Sequence, residues 1–298
     1  MRPDISIVIV AYNSAHVIGE LLDSIPAALA GMTADVVVVD NASTDGTAEL
    51  VAARGHRVVR SANVGFAGGI NRGVREAADS DAVLALNPDV RLAPGALPPL
   101  VRSLRSPGTG IAAPRVLTDD GELFPSLRRE PSLGRAMGLN RTGWPWFSEY
   151  VARPEEYAAP RPVDWALGAV LLFSRACYDA VGGWDESYFL YSEETDFCLR
   201  ARDLGYTTRY EPASVAVHIG GASGQNERTH AMQIVNRVRL YRRRHPGLSA
   251  WAYYALTVAS ESTWAIRAGA KSRFAVAALV RPSVRPAEIG CSDRLLPL

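Results

Sequence analysis

The sequence predicts an α/β fold in which a Rossmann-like, mostly parallel sheet is flanked by helices. Short apolar runs of strand length alternate with segments of helical length over residues 1–115, and polar residues follow each apolar run. Crossovers between parallel strands are right-handed, so the carboxyl ends of these strands meet along one edge of the sheet, where ligands bind. We therefore expect a binding site along that edge.

Four apolar runs in the first half are predicted to be parallel strands, and helices connect them. The strands are expected at 5–11, 36–39, 57–60 and 83–86. The helices are expected from an N-cap at Ser14 to Leu29, over 48–54, and from the glycine-rich run 63–73 to Glu76. Glycines at the start of that third helix allow the backbone to approach a ligand closely.

The second half is predicted to contain further strands and helices around a long irregular segment. We expect a helix over 94–105, a strand at 110–113, an irregular acceptor-side loop over 124–162, and a strand ending at Phe173. A helix over Arg175–Val181 follows. Another helix is expected from an N-cap at Ser192 to Gly205 as its C′ residue, and then a strand at 207–210, after which an apolar run at 215–217 leads to His218.

Composition indicates a folded chain of enzyme size and excludes several classes of partner. The 298 residues are 48% hydrophobic and 21% charged, and a net charge of +1 gives no global field that would favour nucleic acid. Cys177, Cys198 and Cys291 lack the spacing of a disulfide framework or a zinc site, which fits a reducing compartment. The apolar run from Ile5 is too short for a signal peptide or a membrane span, so we expect a cytoplasmic protein.

Three features carry candidate chemistry. Asp89 follows a buried strand and would point at a ligand, although the Asn-Pro-Asp sequence also suits an ordinary turn. The acidic residues after Ser192 include Glu194, which would lie in an aromatic-rich cleft; capping and surface pairing would also explain these acids. The glycine run lacks the G-x-G-x-x-G spacing, so a nicotinamide dehydrogenase is disfavoured.

Several stretches are similar to the motifs of one enzyme family. They are residues 11–13, 39–47, 63–66 with Asn71, the triplet Asn87-Pro88-Asp89, and the acidic helix followed by His218. Together they resemble the inverting family 2 glycosyltransferases, whose fold is the nucleotide-diphospho-sugar transferase type called GT-A. In that family the triplet is a D-x-D-type motif, and here Asn87 stands in place of its first acid.

Within this family, a subgroup of bacterial rhamnosyltransferases is most similar. Residues 120–129, Trp165 with Gly168, and the run 184–191 resemble enzymes that transfer L-rhamnose from dTDP-rhamnose to polyprenyl-diphosphate-linked N-acetylglucosamine in cell-wall assembly. One departure is Glu194, where the family usually has aspartate. Glutamate carries its carboxyl group one methylene further from the backbone, so a base role requires the backbone or the acceptor to shift.

The resemblance implies specific roles for individual residues. The implied nucleotide-sugar site consists of Ala11, Tyr12, Asn13, Asp40, Asn41, Asn63, Gly65, Asn71, Asn87 and Asp89. The implied acceptor site consists of Trp165, Gly168, Trp184 and Glu193. Asp89 and His218 would hold Mg²⁺ or Mn²⁺, with Glu194 as the general base and Asp185 as a second catalytic acid that binds acceptor or replaces Glu194 as the base.

The resemblance also implies partners and a division of the chain. A nucleotide-diphospho-sugar would be the donor and a glycan or polyprenyl-diphosphate-linked molecule the acceptor; UDP-galactofuranose or a UDP-hexose as donor, a sugar-nucleotide pyrophosphorylase and a non-catalytic binding module remain alternatives. We expect a catalytic domain over 1–225, with halves 1–115 and 116–225, and a helical region over 226–298. The segment 251–280 would either contact the inner face of the membrane or pack on the domain or across a homodimer.

Overall fold

The computed structural model describes residues 2–139, 142, 144–220, 226–289 and 295. In chain order, the strands are β1 Ile5–Ala11, β2 Ala34–Asn41, β3 Arg57–Ser61, β4 Ala82–Leu86, β5 Val90–Leu92, β6 Thr109–Leu117, β7 Leu127–Arg128, β8 Arg161–Val163, β9 Trp165–Ala166, β10 Val170–Ser174 and β11 Thr207–His218. The helices are α1 Ile18–Leu29, α2 Thr47–Ala53, α3 Gly65–Glu76, α4 Leu97–Ser103, α5 Leu133–Ala136, α6 Arg175–Val181, α7 Glu193–Asp203, α8 Glu227–Arg244, α9 Leu248–Ala268 and α10 Ala270–Val280.

A central sheet with the strand order β3-β2-β1-β4-β10-β6-β11-β5 organises the molecule, and β8 also pairs with β11. Its first four strands are parallel, as predicted, with Val8 beside both Val37 and Ala85. β10 runs antiparallel to β4 and β6, whereas β11 is again parallel to β6. Helices cover the sheet, so the predicted α/β architecture with a mostly parallel sheet is confirmed.

The strand predicted at 207–210 is longer than expected, since β11 continues through the apolar run at 215–217 to His218. The register against β6 shifts between Glu211 and Val215, and Pro212 lies in that irregular stretch. A proline, which has no N–H to donate, is tolerated in a strand at such an irregularity. The polar residues there give the sequence the appearance of a turn, although the strand continues to His218.

Predicted helix ends agree with the structure at some positions and differ at others. The helix Arg175–Val181 and the end of α3 at Glu76 are confirmed. Ser14 is not the N-cap of α1, because the helix begins at Ile18 with Val17 at the cap position; the Ser14 carbonyl accepts the Val17 and Ile18 N–H groups in the preceding turn. Ser192 precedes α7 as predicted, but it adopts a φ of +76° and its side chain makes no capping hydrogen bond.

The segment predicted to be irregular contains short ordered elements. It holds β7, α5, a 3-10 turn at Pro154–Tyr157 and the first residues of β8. The buried Tyr157 hydroxyl accepts the Leu127 N–H and donates to the carbonyl of Val151, which ties the two ends of the segment together. Trp144 and Trp146 are exposed between these ends.

Helices α8, α9 and α10 pack around a hydrophobic cluster of their own. Residues 189–191, which precede α7, pack against this cluster. Asn236 of α8 donates hydrogen bonds to the carbonyls of Tyr188 and Leu190, at 2.7 and 2.9 Å. The helical region therefore holds the segment that leads into α7. The segment 251–280 packs against α8 and against the residues before α7.

Two sequence predictions depend on residues outside those described. The proposed boundary at residue 225 lies in the undescribed stretch 221–225, so the division of the chain stays a prediction. Cys291 likewise lies outside the described residues, whereas Cys177 and Cys198 are buried and free. No helix among the described residues combines the length and apolar content needed to cross a bilayer.

Candidate active site

The loops that follow β1 and β2 are joined by hydrogen bonds. Asn13 adopts a φ of +49°, and its side-chain oxygen accepts the Thr44 N–H at 2.9 Å. The Asn13 N–H donates to the Ser43 hydroxyl, also at 2.9 Å. β1 ends at the buried Ala11, and the Tyr12 ring beside it is exposed. These residues form one wall at the carboxyl edge of the sheet.

Asp40 and Asn41 place unused hydrogen-bond acceptors at the end of β2. Both residues are buried, and the Oδ1 atom of each lacks a hydrogen-bond partner in the described structure. The Asn41 amide donates to the Gly65 carbonyl at 2.9 Å, which fixes its orientation. Because a buried acceptor without a partner is costly, these oxygens suit a ligand that donates hydrogen bonds, such as the ring N–H of a pyrimidine base.

Gly65 lies where the glycine-rich run meets the segment before α7. It has a φ of +76°, and a Cβ atom there would lie 2.2 Å from the Phe189 carbonyl oxygen. The Phe66 N–H donates to that same carbonyl at 2.7 Å. Asn63 accepts the Gly65 N–H at 3.2 Å. Glycine is required by this close backbone contact.

Asn71 is fully engaged within the protein. Its amide donates to the Trp184 carbonyl and to Glu186, at 2.8 and 2.9 Å. Its side-chain oxygen accepts the Trp184 N–H and the Tyr178 hydroxyl, at 2.9 and 2.8 Å. Two donors and two acceptor positions are thereby used, so Asn71 anchors the loop before α7 and offers no free group to a nucleotide sugar.

Asp89 and His218 lie close together beyond the carboxyl end of β4. Asp89 is only 4% exposed, and its Oδ1 atom lies 3.3 Å from the Nε2 atom of His218 without a hydrogen bond between them. His218 is paired in register with Val90, and its ring packs edge-on against Phe124. The sheet therefore brings together the two predicted metal ligands, which are 129 positions apart in the sequence.

The donor set of Asp89 and His218 fits a divalent cation. Two ligands at right angles, each about 2.1 Å from an octahedral ion, are about 3.0 Å apart, which is close to the observed spacing. The described residues contain no group of three or more metal-binding side chains. Mg²⁺ or Mn²⁺ would therefore take its remaining ligands from water and from the diphosphate of a donor, as is usual for ions that act on phosphates.

Glu193 and Glu194 form a buried acidic pair at the start of α7. They are 3% and 8% exposed, and one carboxylate oxygen of each has no hydrogen-bond partner. Burial raises the pKa of Glu193 well above its usual range, and the neighbouring Glu194 raises it further. Burial also raises the pKa of Glu194, and backbone hydrogen bonds and the Arg128 charge offset only part of this rise.

Arg128 lies in the same buried region without a carboxylate partner at ion-pair distance in the described structure. Its guanidinium stacks on the Tyr150 ring, 4.0 Å from the centroid, and donates to the backbone carbonyls of Pro125 and Leu127. Its positive charge favours the ionised form of Glu194. Glu194 thus combines a raised pKa with a nearby cation that keeps the base form accessible.

The raised pKa of Glu193 predicts a stabilising substitution. Between its usual pKa of 4.5 and its higher folded value, the folded state binds more protons than the unfolded state, so stability falls as the pH rises through this window. Glu193→Gln removes that loss, and we expect a higher melting temperature at pH 8 and no gain at pH 4. Glu149→Gln, which breaks the ion pair with Arg237, should instead lower the melting temperature. An equal effect of Glu193→Gln at both pH values would contradict the linkage.

Asp185 is held in a different environment from Glu194. Its Oδ2 atom lies 2.7 Å from a guanidinium nitrogen of Arg243, and its Oδ1 atom accepts the Ser187 N–H at 2.9 Å. Burial raises the pKa of Asp185, but the Ser187 hydrogen bonds and the Arg243 charge outweigh it and leave the pKa below its usual value. Of the two predicted catalytic acids, Glu194 therefore has the environment of a base.

The predicted acceptor residues lie in the core or against the start of α7. Trp184 stacks on Phe197 in the core, with ring centroids 5.2 Å apart, and the Trp165 indole donates to the Arg129 carbonyl at 3.0 Å. Both rings are buried, so they support the site and do not form an open platform. A Cβ atom at Gly168 would lie 3.2 Å from the Glu194 Cβ, so glycine permits the close approach of α7.

Arg243 and Asn236 contact the candidate site and were not predicted from the sequence. Both lie on α8, 58 and 42 positions from Asp185 and Glu194. Arg243 pairs with Asp185, and Asn236 fixes the carbonyls before α7. Their side chains alone give no signal, because arginines in a helix are ordinarily solvated. The neighbouring buried Arg239, one turn along, shows that this face of α8 is internal.

The fold defines the class of protein. The chain matches the structure of GalNAc-T7 with UDP, GalNAc and Mn²⁺ at a TM-score of 0.62 and 16% identity, over 81% of this chain and about half (48%) of that one. It also matches a mannosyltransferase from Pyrobaculum calidifontis in complex with GDP-Man and Mn²⁺, at a TM-score of 0.56 and 18% identity, over 97% of this chain and 82% of that one. The fold is that of a GT-A glycosyltransferase.

Sequence similarity identifies the family. A family model for glycosyl transferase family 2 matches residues 6–154, which is half of the chain. The chain is 33% identical to an N-acetylglucosaminyl-diphospho-decaprenol L-rhamnosyltransferase of Mycobacterium tuberculosis, over 65% of this chain and 70% of the relative. It is 32% identical to the low-salt glycan biosynthesis hexosyltransferase Agl10 of Haloferax volcanii, over 68% and 62%. The chain belongs to glycosyl transferase family 2 and is a glycosyltransferase.

Proposed function

We propose that this enzyme transfers L-rhamnose from dTDP-L-rhamnose to a hydroxyl of a polyprenyl-diphosphate-linked glycan, with inversion at the anomeric carbon. The similarity to an L-rhamnosyltransferase of that acceptor class supports the donor and the acceptor. Similarity to a hexosyltransferase supports the runner-up, a family 2 transferase that uses a UDP-hexose or UDP-galactofuranose. Both proposals use the same residues and differ in the sugar and the nucleotide that the enzyme recognises.

One observation carries the mechanism: Gly168 and Ala169 connect the Asn87-Pro88-Asp89 triplet to Glu194, the proposed general base. The Ala169 carbonyl accepts the Asn87 N–H at 2.9 Å, and the adjacent Gly168 lies against the Cβ atom of Glu194. The carboxylate of Glu194 is thereby held beside the loop that carries Asp89. In inverting transfer, the base and the leaving diphosphate must lie on opposite sides of the anomeric carbon, which requires such fixed proximity.

Each group then has a defined task. Asp40 and Asn41 offer hydrogen-bond acceptors to the single ring N–H of the pyrimidine, and the wall at residues 11–13 confines the base. Glu194 removes the proton from the acceptor hydroxyl as that oxygen attacks the anomeric carbon. Asp89 and His218 would hold a divalent cation, which supplies charge neutralisation for the leaving diphosphate. Asn71 and Asp185 hold the loop before α7 in place through the contacts described above.

A donor screen tests this function. Thermal shift is measured with Mn²⁺ and dTDP-L-rhamnose, UDP-galactofuranose, UDP-glucose or GDP-mannose. Each nucleotide sugar is present at a concentration 100 times the Kd expected for a good donor. A ligand at 100 times its Kd stabilises the folded state by about 2.7 kcal/mol. We expect the largest shift with dTDP-L-rhamnose, followed by its turnover when a polyprenyl-diphosphate-N-acetylglucosamine is added. A larger shift and turnover with a UDP-sugar would establish the alternative donor.

We further propose that the outer face of α9 contacts a lipid surface, where a polyprenyl acceptor resides. Leu248 and Ile266 are 88% and 87% exposed. They lie 18 residues apart, which is five turns of 3.6 residues, so they share one face with the exposed Trp251. Two exposed arginines come next in the chain: Arg267 at the end of α9 and Arg273 in α10. An apolar face beside basic residues is the pattern of a helix that lies on an anionic membrane.

Flotation with vesicles of anionic phospholipid tests this membrane contact. The unmodified chain should float with the vesicles, and the double variant Leu248→Ser and Ile266→Ser should lose most of the bound fraction, because both apolar anchors are removed. Leu204→Ser is the matched control, since Leu204 is an exposed leucine at the end of α7. Equal partitioning of the three proteins would show that α9 does not contact lipid.

A further inference from the structure

A cavity lies among the C-terminal helices, apart from the residues assigned to the donor and to the general base. Its volume is about 660 Å³, and it is formed where the start of α8, the second half of α9 and the start of α10 meet. Its lining includes Glu227, His230, Glu261, Trp264 and Lys271. This volume lies in the range of sites that bind small molecules.

A pair of polar side chains, one buried and one half-buried, lines this cavity. The Nε2 atom of His230 lies 3.1 Å from an Oε2 atom of Glu261, and Glu261 is buried within α9. Trp264 lies three residues further along the same helix, so its indole ring lines the cavity beside the carboxylate. The wall thus combines an aromatic surface with groups that donate and accept hydrogen bonds.

The charges of the lining argue against two classes of ligand. The lining presents the two carboxylates of Glu227 and Glu261, against the single ammonium group of Lys271, and the His230 ring already faces Glu261, so the cavity is poorly suited to a phosphate or another anion. The described residues offer no cluster of three or more metal-binding side chains, and this cavity contains no such cluster. A neutral ligand with many hydroxyl groups fits the lining, since it donates to the carboxylates, accepts from the ammonium group and packs its C–H face on the indole.

We propose that this cavity binds one neutral sugar residue of a glycan, separately from the donor sugar. The proposal extends the proposed function, because a glycan acceptor supplies such a sugar. The cavity is also connected to the catalytic helix: the Tyr191 hydroxyl, two residues before Glu193, hydrogen-bonds with Thr229, the neighbour of His230 on α8. A sugar held here would therefore contact α8, the helix that also holds the segment before α7 through Asn236.

Saturation-transfer NMR and titration of the full chain test the proposal, with N-acetylglucosamine and methyl α-L-rhamnopyranoside as probes and saturating dTDP and Mn²⁺ present to block the donor site. At least one probe should bind. Trp264→Ala should weaken that binding roughly tenfold by removal of the aromatic surface, and Glu261→Gln should weaken it while the shape is kept. Trp251→Ala, at the other end of α9, is the matched control and should bind normally.

The thermal shift produced by dTDP-L-rhamnose is measured on the same variants. A normal shift in Trp264→Ala shows that the donor site is folded, so a loss of probe binding is local. The proposal is overturned if neither probe binds, if a probe binds only when dTDP is left out, or if Trp264→Ala and Trp251→Ala bind alike. In these cases an intact donor shift and turnover would leave the proposed function standing, whereas failure of the donor screen itself would count against that function.

Discussion

Glu194→Gln should reduce turnover by roughly 10²–10⁴ while donor affinity stays nearly unchanged. The amide keeps the size of the carboxyl group but accepts no proton, and general-base catalysis acts in the transition state. The environment supports this expectation, because Glu194 is buried, one of its carboxylate oxygens has no hydrogen-bond partner, and burial raises its pKa. Steady-state turnover and a separate donor titration distinguish loss of catalysis from loss of binding.

Asp185→Asn provides the comparison for the base. Asp185 is engaged by Arg243 and Ser187, so its amide variant should lose loop positioning and change the acceptor KM more than kcat. The pH profile adds a second criterion: turnover of the unmodified enzyme should fall as the pH drops through the raised pKa of Glu194. Near-normal turnover of Glu194→Gln together with a large loss in Asp185→Asn would move the base to Asp185.

The carboxyl edge of the parallel sheet was predictable from the sequence because each strand is local. A buried apolar run followed by polar residues identifies β1, β2 and β4, and thereby places Asp40 and Asp89 at strand ends. The pattern is read within about ten residues, and the parallel crossover rule then brings these ends together. The juxtaposition of Asp89 and His218 was inferred from family resemblance, since 128 residues separate them.

The tertiary contacts that determine each side chain's role could not be predicted in this way. Asn71 was expected to bind the donor, yet four hydrogen bonds from distant residues occupy it. Trp184 was expected to contact acceptor, yet it stacks in the core. In both cases the residue type suits either ligand binding or structural support. The role is determined by the neighbouring residues that the fold places around the side chain. The same holds for Arg128, whose charge acts on Glu194 across 66 positions.

Removal of the divalent cation should abolish transfer. Lewis-acid stabilisation of a leaving diphosphate is worth several kcal/mol, so enzyme treated with EDTA should lose on the order of 10³-fold in turnover or more, and Mn²⁺ should restore it. Asp89→Asn keeps the shape of the side chain but removes its charge, and it should weaken donor binding as well as turnover, since the donor diphosphate shares the ion.

The control for the metal site is Asp119→Asn. Asp119 is an exposed acid that pairs with Arg91 of β5, the strand that follows the Asp89 loop, so its substitution tests for a general effect of charge in that region. Donor titration with and without Mn²⁺ should show that Asp89→Asn loses the Mn²⁺-dependent part of the affinity and that Asp119→Asn keeps it. His218→Gln should behave like Asp89→Asn to a lesser degree, because a neutral ligand contributes less than a carboxylate to the binding of a hard cation. Undiminished turnover of the EDTA-treated enzyme would remove the metal from the mechanism and leave the contact between Asp89 and His218 a structural one.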